Sequence, residues 1–288
     1  MNNETLPSWL LDIPAAEYHA AARRGEFLTS SGVAALLSSP LDYFHANANP
    51  PEETPAMAFG TACHKRILEG SDAFSDSYCV WYPPEASKAS KEYKSAKAEA
   101  EAAAAGKTLM DSDTFGRVMG VYMAVQQNED AREILDGILP EKTIRAEIDG
   151  VACQVRPDAV NVEKCVLADL KTTTRPREFY RKGRGGTPYG DALTRFYPQR
   201  LAFYTMVFCK AAFGAIPETA DDFAGVWRVC FIVAGTEAPY VSAVWDVTPG
   251  VMAAAAAHVR AAIGKLNVCR DKGFWPSGLE GRNVIDEL

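Results

Sequence analysis

The sequence predicts an α/β domain with N-terminal helical elaborations, on three observations. Residues 143–171 read as three short strands in succession. Residues 225–234, GVWRVCFIVA, form an almost fully apolar strand, and residues 239–245 return antiparallel after a turn at Gly235. Around these strands lie segments with apolar residues at helical spacing, at 112–127, 191–213 and 249–270. No linker, internal repeat or low-complexity break divides the 288 residues, so one domain over 1–288 is expected, with an ample core.

Composition narrows the function classes. An apolar fraction of 48% with 23% charged residues is ordinary for a soluble globular protein. No apolar run reaches the roughly 18 residues of a membrane span, and the N-terminus lacks a basic segment followed by an apolar one, so neither a membrane association nor a secretory signal is expected. The seven cysteines are scattered and form no C-x-x-C. That argues against structural zinc or a disulfide framework, and for a reducing, cytoplasmic compartment. The net charge of −7 argues mildly against a nucleic-acid partner, although a local patch outweighs the sum.

Taken in order, residues 14–24 suit a short helix with Pro14 in its first turn and Gly25 as its stop. In FLTSSGVAALLSSP, one of Thr29, Ser30 or Ser31 caps a helix that runs to about Ser39 and ends at Pro40. A hydroxyl-rich helix start is either a good cap or an anion site, since free N–H groups and the dipole favour phosphate. Residues 54–69 form a helix capped by Thr54 and closed by Gly70, carrying His64 after the small residues Gly60, Thr61 and Ala62. A strand at 78–82 precedes the Ala/Lys/Glu-rich stretch from Ser87 to Lys107, a helix by propensity with little apolar face. Helices at 112–127 and 131–135 follow.

Within residues 143–171, the first two strands meet at Asp149-Gly150, the dipeptide that best tolerates φ > 0 at both turn positions. The third strand ends in Asp169-Leu170-Lys171, whose acid and lysine share one face because strand side chains repeat every two residues. Burying such a pair is costly without a partner. Asp158 and Asp169 at strand ends suit a hard divalent cation. The Leu170 carbonyl points away from its own side chain and can add a ligand, and His64 can supply another from its helix. Lys171 beside the metal can orient and help deprotonate water, or stabilise charge on phosphorus. Residues 175–200 then hold seven Arg or Lys against Glu178 and Asp191, interleaved with five aromatics and with glycines at 183, 185 and 186. This reads either as a solvated loop or as a track for a polyanion.

The arrangement Pro157-Asp158, a spacer, then Asp169-Leu170-Lys171 resembles the PD-(D/E)XK nuclease superfamily. With TSSGVAALLSSPLDYFHA, FGTACHKRILE, VRPD, ADLKTT and RLAFY in that order, the chain resembles exodeoxyribonuclease VIII (RecE-type) and lambda-exonuclease-like phage recombination exonucleases over about residues 11–210. The resemblance implies a restriction-endonuclease-like core, a central mixed β-sheet flanked by helices, over residues 54–288, with residues 1–53 as an added helical part. It implies metal binding by His64, Asp158, Asp169 and the Leu170 carbonyl, with Lys171 catalytic and Glu147 as a further acid. The metal would be Mg2+, with Mn2+ as a possible substitute, two per site.

It further implies a processive 5′→3′ exonuclease on linear double-stranded DNA, leaving 3′ overhangs for strand annealing. Such an enzyme would be a homo-oligomeric ring, trimer or tetramer, working with a single-strand annealing protein in a bacterial host and encoded by a phage or prophage. Ser30 and Ser31 with Arg23 or Arg24 are the expected 5′-phosphate pocket. Arg175, Arg177, Arg181, Lys182 and Arg184 are the expected DNA track. One departure concerns the helix facing the site, where the family has Gln four residues before Tyr. Here Arg200 holds that place relative to Tyr204, so either Gln199 reaches it by a local shift or Arg200 takes over phosphate or carboxylate contacts. Two alternatives stay open: an endonuclease of restriction or repair type on the same fold, and a non-catalytic DNA-binding protein.

Overall fold

Residues 6–49, 52–181 and 190–281 are described by a computed structural model. Among them, five strands form the central sheet: β3 (Leu139–Pro140), β6 (Ala159–Asn161), β7 (Val166–Thr173), β8 (Arg228–Gly235) and β9 (Ser242–Asp246), in that spatial order. Only β7 and β8 run parallel; the other neighbours are antiparallel. The mixed sheet follows from connection length. The β6–β7 and β8–β9 links are short enough for antiparallel returns, whereas β7 reaches β8 through more than fifty residues whose described part includes three α-helices.

Both faces of the sheet are covered, which explains why β7 and β8 are near-continuous apolar runs. Leu167, Val229, Phe231 and Val233 point to one face and join a core with α2 (Ser30–Ser38), α10 (Tyr197–Phe213) and α12 (Pro249–Lys272). Ala168, Leu170, Cys230, Ile232 and Ala234 point to the other. They pack with Ala62 and Cys63 of α4 (Pro55–His64) and with Val118, Val121 and Val125 of α7 (Ser112–Gln127). The strict two-residue alternation along β7 therefore sends Asp169 and Lys171 toward α10. This is the mixed sheet flanked by helices that the sequence predicts.

Several elements differ from the sequence reading. The stretch 143–171 holds four strands. β4 (Ile144–Ile148) and β5 (Val151–Val155) form a separate hairpin rather than part of the central sheet, and short β6 lies between them and β7. The hairpin turn itself is as expected, with positive φ at both Asp149 (49°) and Gly150 (76°). Residues 191–213 are two helices, α9 (Asp191–Thr194) and α10, because Phe196 adopts a left-handed φ of 54° and Pro198, lacking an N–H, sits in the first turn of α10. Pro40 starts a helix, α3 (Pro40–Ala48), whose cap is Ser39, its side chain accepting from Asp42 N–H at 3.0 Å. The helix at 54–69 turns into a π-helical segment, Lys65–Glu69, immediately after His64. Wide π turns of this kind are frequent at functional sites.

A smaller parallel pair, β1 (Tyr78–Trp81) and β2 (Thr108–Asp111), brackets α6 (Lys91–Ala103), which buries no residue. That is what its polar, alanine-rich sequence requires. No helix among the described residues is long and apolar enough to cross a membrane.

Candidate active site

Asp158 joins the hairpin to the central sheet. It follows Pro157 at the exit from β5, and its Oδ2 accepts a hydrogen bond from Leu170 N–H at 2.6 Å. The Pro-Asp and Asp-Leu-Lys segments are thus tied together through backbone, eleven residues apart in sequence but adjacent in space. His64, the last residue of α4, arrives from the opposite face of the sheet. Its Nε2 lies 3.0 Å from Leu170 O, and its Nδ1 lies 3.7 Å from Asp158 Oδ1.

The third member of this group is one the sequence reading missed. His64, Glu141 and Asp158 each offer a ligand atom, and these atoms lie within 4.8 Å of one another. Glu141 follows β3 in a left-handed conformation (φ 55°), and its N–H donates to Asp158 O at 3.2 Å. Its carboxylate is held from behind by Arg156, whose Nε donates to Glu141 Oε2 at 2.8 Å. Arg156 Nη1 in turn donates to Ile13 O (2.7 Å) and Thr143 Oγ1 (3.3 Å). Glu147 does not reach this group. On β4 the buried Ile144 and Ile148 face inward, so Glu147 between them faces out, opposite Ala152, and is exposed. The acid beside His64 and Asp158 is thus Glu141, whereas Glu147 lies on the exposed face of the hairpin. No sequence signal marks Glu141, because it sits in a turn whose position depends on how β3 pairs with β6.

Asp169 is 3% exposed and touches the Lys171 ammonium through Oδ2, an atom that accepts no hydrogen bond of regular geometry. Lys171 Nζ also lies 3.4 Å from Leu170 O and 5.3 Å from the centre of the Tyr197 ring. Burial alone pulls the Lys171 amine down, but Asp169 and Asp158 outweigh it and hold the amine above its ordinary value. Lys171 is therefore an ammonium ion at neutral pH. For Asp158 burial dominates, reinforced by repulsion from Asp169, and the carboxyl is pushed up to about 6 despite His64 and Lys171.

These features fit a divalent cation. Buried carboxylates crowded enough to raise the pKa of Asp158, a backbone carbonyl and an imidazole make up an oxygen-rich donor set. His64, Glu141 and Asp158 are the residues closest to a common centre, and Asp169 and the Leu170 carbonyl adjoin them through the Asp158–Leu170 hydrogen bond.

The wall opposite Asp169 comes from α10. Tyr197, Arg200, Leu201 and Tyr204 line one narrow space with Asp169, Lys171 and Phe231. The ambiguity between Gln199 and Arg200 is resolved by helical phase. Residues four apart share a face, so Arg200 lies over Tyr204, while Gln199 turns to α12, its Nε2 being 3.3 Å from His258 Nδ1.

A family model described as a PDDEXK-like domain of unknown function (DUF3799) matches residues 34–287. The chain belongs to this family. A crystal structure from Eubacterium rectale, described as that of a provisionally assigned exonuclease, is similar at a TM-score of 0.64 and 12% identity. The match covers 92% of this chain and 88% of that one, and at such low identity it establishes a shared fold. No curated protein matches the sequence.

Around the PDDEXK-like centre, the expected phosphate-binding residues are placed unequally. Thr29, rather than a serine, caps α2, accepting from Gly32 N–H at 3.3 Å. Ser30 is buried, and its Oγ lies 3.4 Å from the Tyr204 hydroxyl, which joins the start of α2 to the α10 wall. Ser31 is exposed and lies 3.0 Å from Thr29 Oγ1. Arg23 is exposed at the end of α1 (Ala15–Arg23), and Arg24 is paired with Glu26. In the basic segment, Arg175 pairs with Asp191 at 3.0 Å, Arg181 pairs with Glu178 at 2.9 Å, and Arg177 is exposed. The two acids that looked incidental in sequence therefore neutralise two of the arginines. Lys182 and Arg184 lie outside the described residues.

Proposed function

We propose that this DUF3799 chain is a Mg2+-dependent deoxyribonuclease. In this reading it is an exonuclease of the RecE type that digests one strand of linear duplex 5′→3′ and leaves 3′ overhangs for strand annealing. The observation that carries the proposal is the junction of Asp158 and His64 with Asp169 and Lys171 of β7, beside a wall that holds a further cation, Arg200. His64, Glu141, Asp158, Asp169 and the Leu170 carbonyl would hold the metal. When bound, a divalent cation supplies Lewis-acid polarisation of a phosphate oxygen and a lowered pKa for water.

The protein's own contribution is charge and geometry. Lys171 is an ammonium held by Asp169, so it acts as a donor: it orients water and stabilises negative charge that grows on the phosphate oxygens. Asp158, fixed by Leu170 N–H, keeps its second oxygen toward His64. The contact of Ser30 with Tyr204 supports the reading that the start of α2 binds a terminal 5′-phosphate. A ring assembly and an annealing protein as partner complete the reading, because encircling the duplex would keep an acidic protein on DNA.

The test is digestion of linear duplex labelled at the 5′ or 3′ end, with covalently closed circles as control, with and without Mg2+. Release of the 5′ label first, with intact circles and no reaction in EDTA, is expected. Cut circles would give the site to an endonuclease instead. Digestion unaffected by Asp169→Ala and Lys171→Ala would remove the proposed centre altogether.

A further inference from the structure

Arg200 differs from the paired cations around the site: Asp169 and Asp158 attract its charge, but among the described residues neither is bonded to it directly. Arg156 is bonded to Glu141, Arg145 to Gln154, Lys171 to Asp169 and Arg175 to Asp191. The Arg200 guanidinium makes no ion pair or side-chain hydrogen bond among the described residues. It lies 5.8 Å from the centre of the Tyr197 ring. Yet it is only partly exposed and lines the same narrow space as Asp169 and Lys171. A partly buried guanidinium with no direct acceptor among the described residues is unfavourable. The position makes sense if an anion arrives there.

We propose that Arg200 clamps the phosphate that is cut. Its planar donor fork matches two non-bridging phosphate oxygens, which an ammonium or an amide cannot bind in the same way. Tyr197 packs beside it from one helical turn earlier and limits its swing. The two cations of this space then have separate roles: Lys171, tethered by Asp169, faces the reacting water, and Arg200 holds the phosphate itself. This inference rests on the nuclease reading and adds the contact that sets register on the strand.

The test is a binding cycle that needs no turnover. Duplexes carry one neutral methylphosphonate, moved singly through the terminal linkages of both strands, and affinity is measured by fluorescence anisotropy with Ca2+ in place of Mg2+. Wild type is compared with Arg200→Gln and Arg200→Lys. Arg200→Gln is expected to weaken binding about tenfold and to lower the salt dependence by about one phosphate contact. At one linkage, the losses from Arg200→Gln and from the methylphosphonate should not add, because both remove the same contact. Arg200→Lys should keep part of that coupling. Losses that add at every linkage, or an Arg200→Gln affinity equal to wild type, would overturn the assignment. Failure of the nuclease reading looks different: wild type would then neither bind linear duplex nor digest it with Mg2+.

Discussion

Asp158→Asn should make the metal-free protein more stable while removing its activity. The carboxyl is raised from 3.8 to about 6, with burial as the largest cause and Asp169 as the next. Between these values the folded chain keeps a proton that the unfolded chain gives up. Stability from this group is therefore fully present below about pH 4 and is lost as the pH rises through about 6. A rise of about two pH units, at about 1.4 kcal/mol each, corresponds to about 3 kcal/mol lost at pH 8. Asparagine removes the charge and keeps an oxygen to accept the Leu170 N–H. Urea unfolding in EDTA, followed by tryptophan fluorescence at pH 8, 6 and 4.5, should show the variant about 3 kcal/mol more stable at pH 8, with the gap closing toward pH 4. Added Mg2+ should stabilise the wild type and leave the variant almost unchanged. A variant that is less stable at pH 8, or a gap that does not change with pH, would refute the account of a crowded, buried carboxylate waiting for a cation.

Two further outcomes follow from the geometry. Glu141→Gln should weaken Mn2+ binding by at least tenfold in calorimetric titration, whereas Glu147→Gln on the exposed face of β4 should leave it unchanged; equal effects would mean that the turn at Glu141 is not part of the metal group. Ser30→Ala should reduce the preference for a 5′-phosphorylated duplex over a 5′-hydroxyl one by several-fold, while Ser31→Ala changes it less, because Ser30 and not Ser31 adjoins Tyr204; a preference unchanged by Ser30→Ala would move the terminal phosphate elsewhere.

Much of the centre was legible because it rests on local rules. The Asp149-Gly150 turn, the cap at Thr54, and the shared face of Asp169 and Lys171 all follow from backbone preferences or strand period. The helix from Ser112 to Gln127 was readable for the same reason, since Phe115, Val118, Met119, Tyr122 and Val125 recur at helical spacing; Val118 and Val125 are buried, whereas Met123, which the same spacing assigns to the core, is exposed. The errors fall where local rules run out. A helix over residues 191–213 satisfies apolar periodicity, but Pro198 cannot supply an interior N–H, and Phe196 takes the left-handed turn that separates α9 from α10. That break sets the phase of α10, and the phase decides that Arg200 rather than Gln199 faces Asp169.

The sequence by itself determined the pair Asp169 and Lys171, the acid at Asp158, and their suitability for a hard cation, because residue type and a two-residue period carry that information. Only the tertiary structure decided which other groups join them. Glu141 and Glu147 are six residues apart and chemically identical. One lies in a turn tied by its own N–H to Asp158 O and braced by Arg156, and the other faces solvent on a hairpin. Likewise, composition counts every arginine of the basic segment as available, but folding pairs Arg175 with Asp191 and Arg181 with Glu178, and leaves Arg200 at the centre without an ion pair among the described residues. The physical reason is common to both cases. A side chain's chemistry is local, whereas the partner that spends or frees its charge is set by packing between elements distant in sequence.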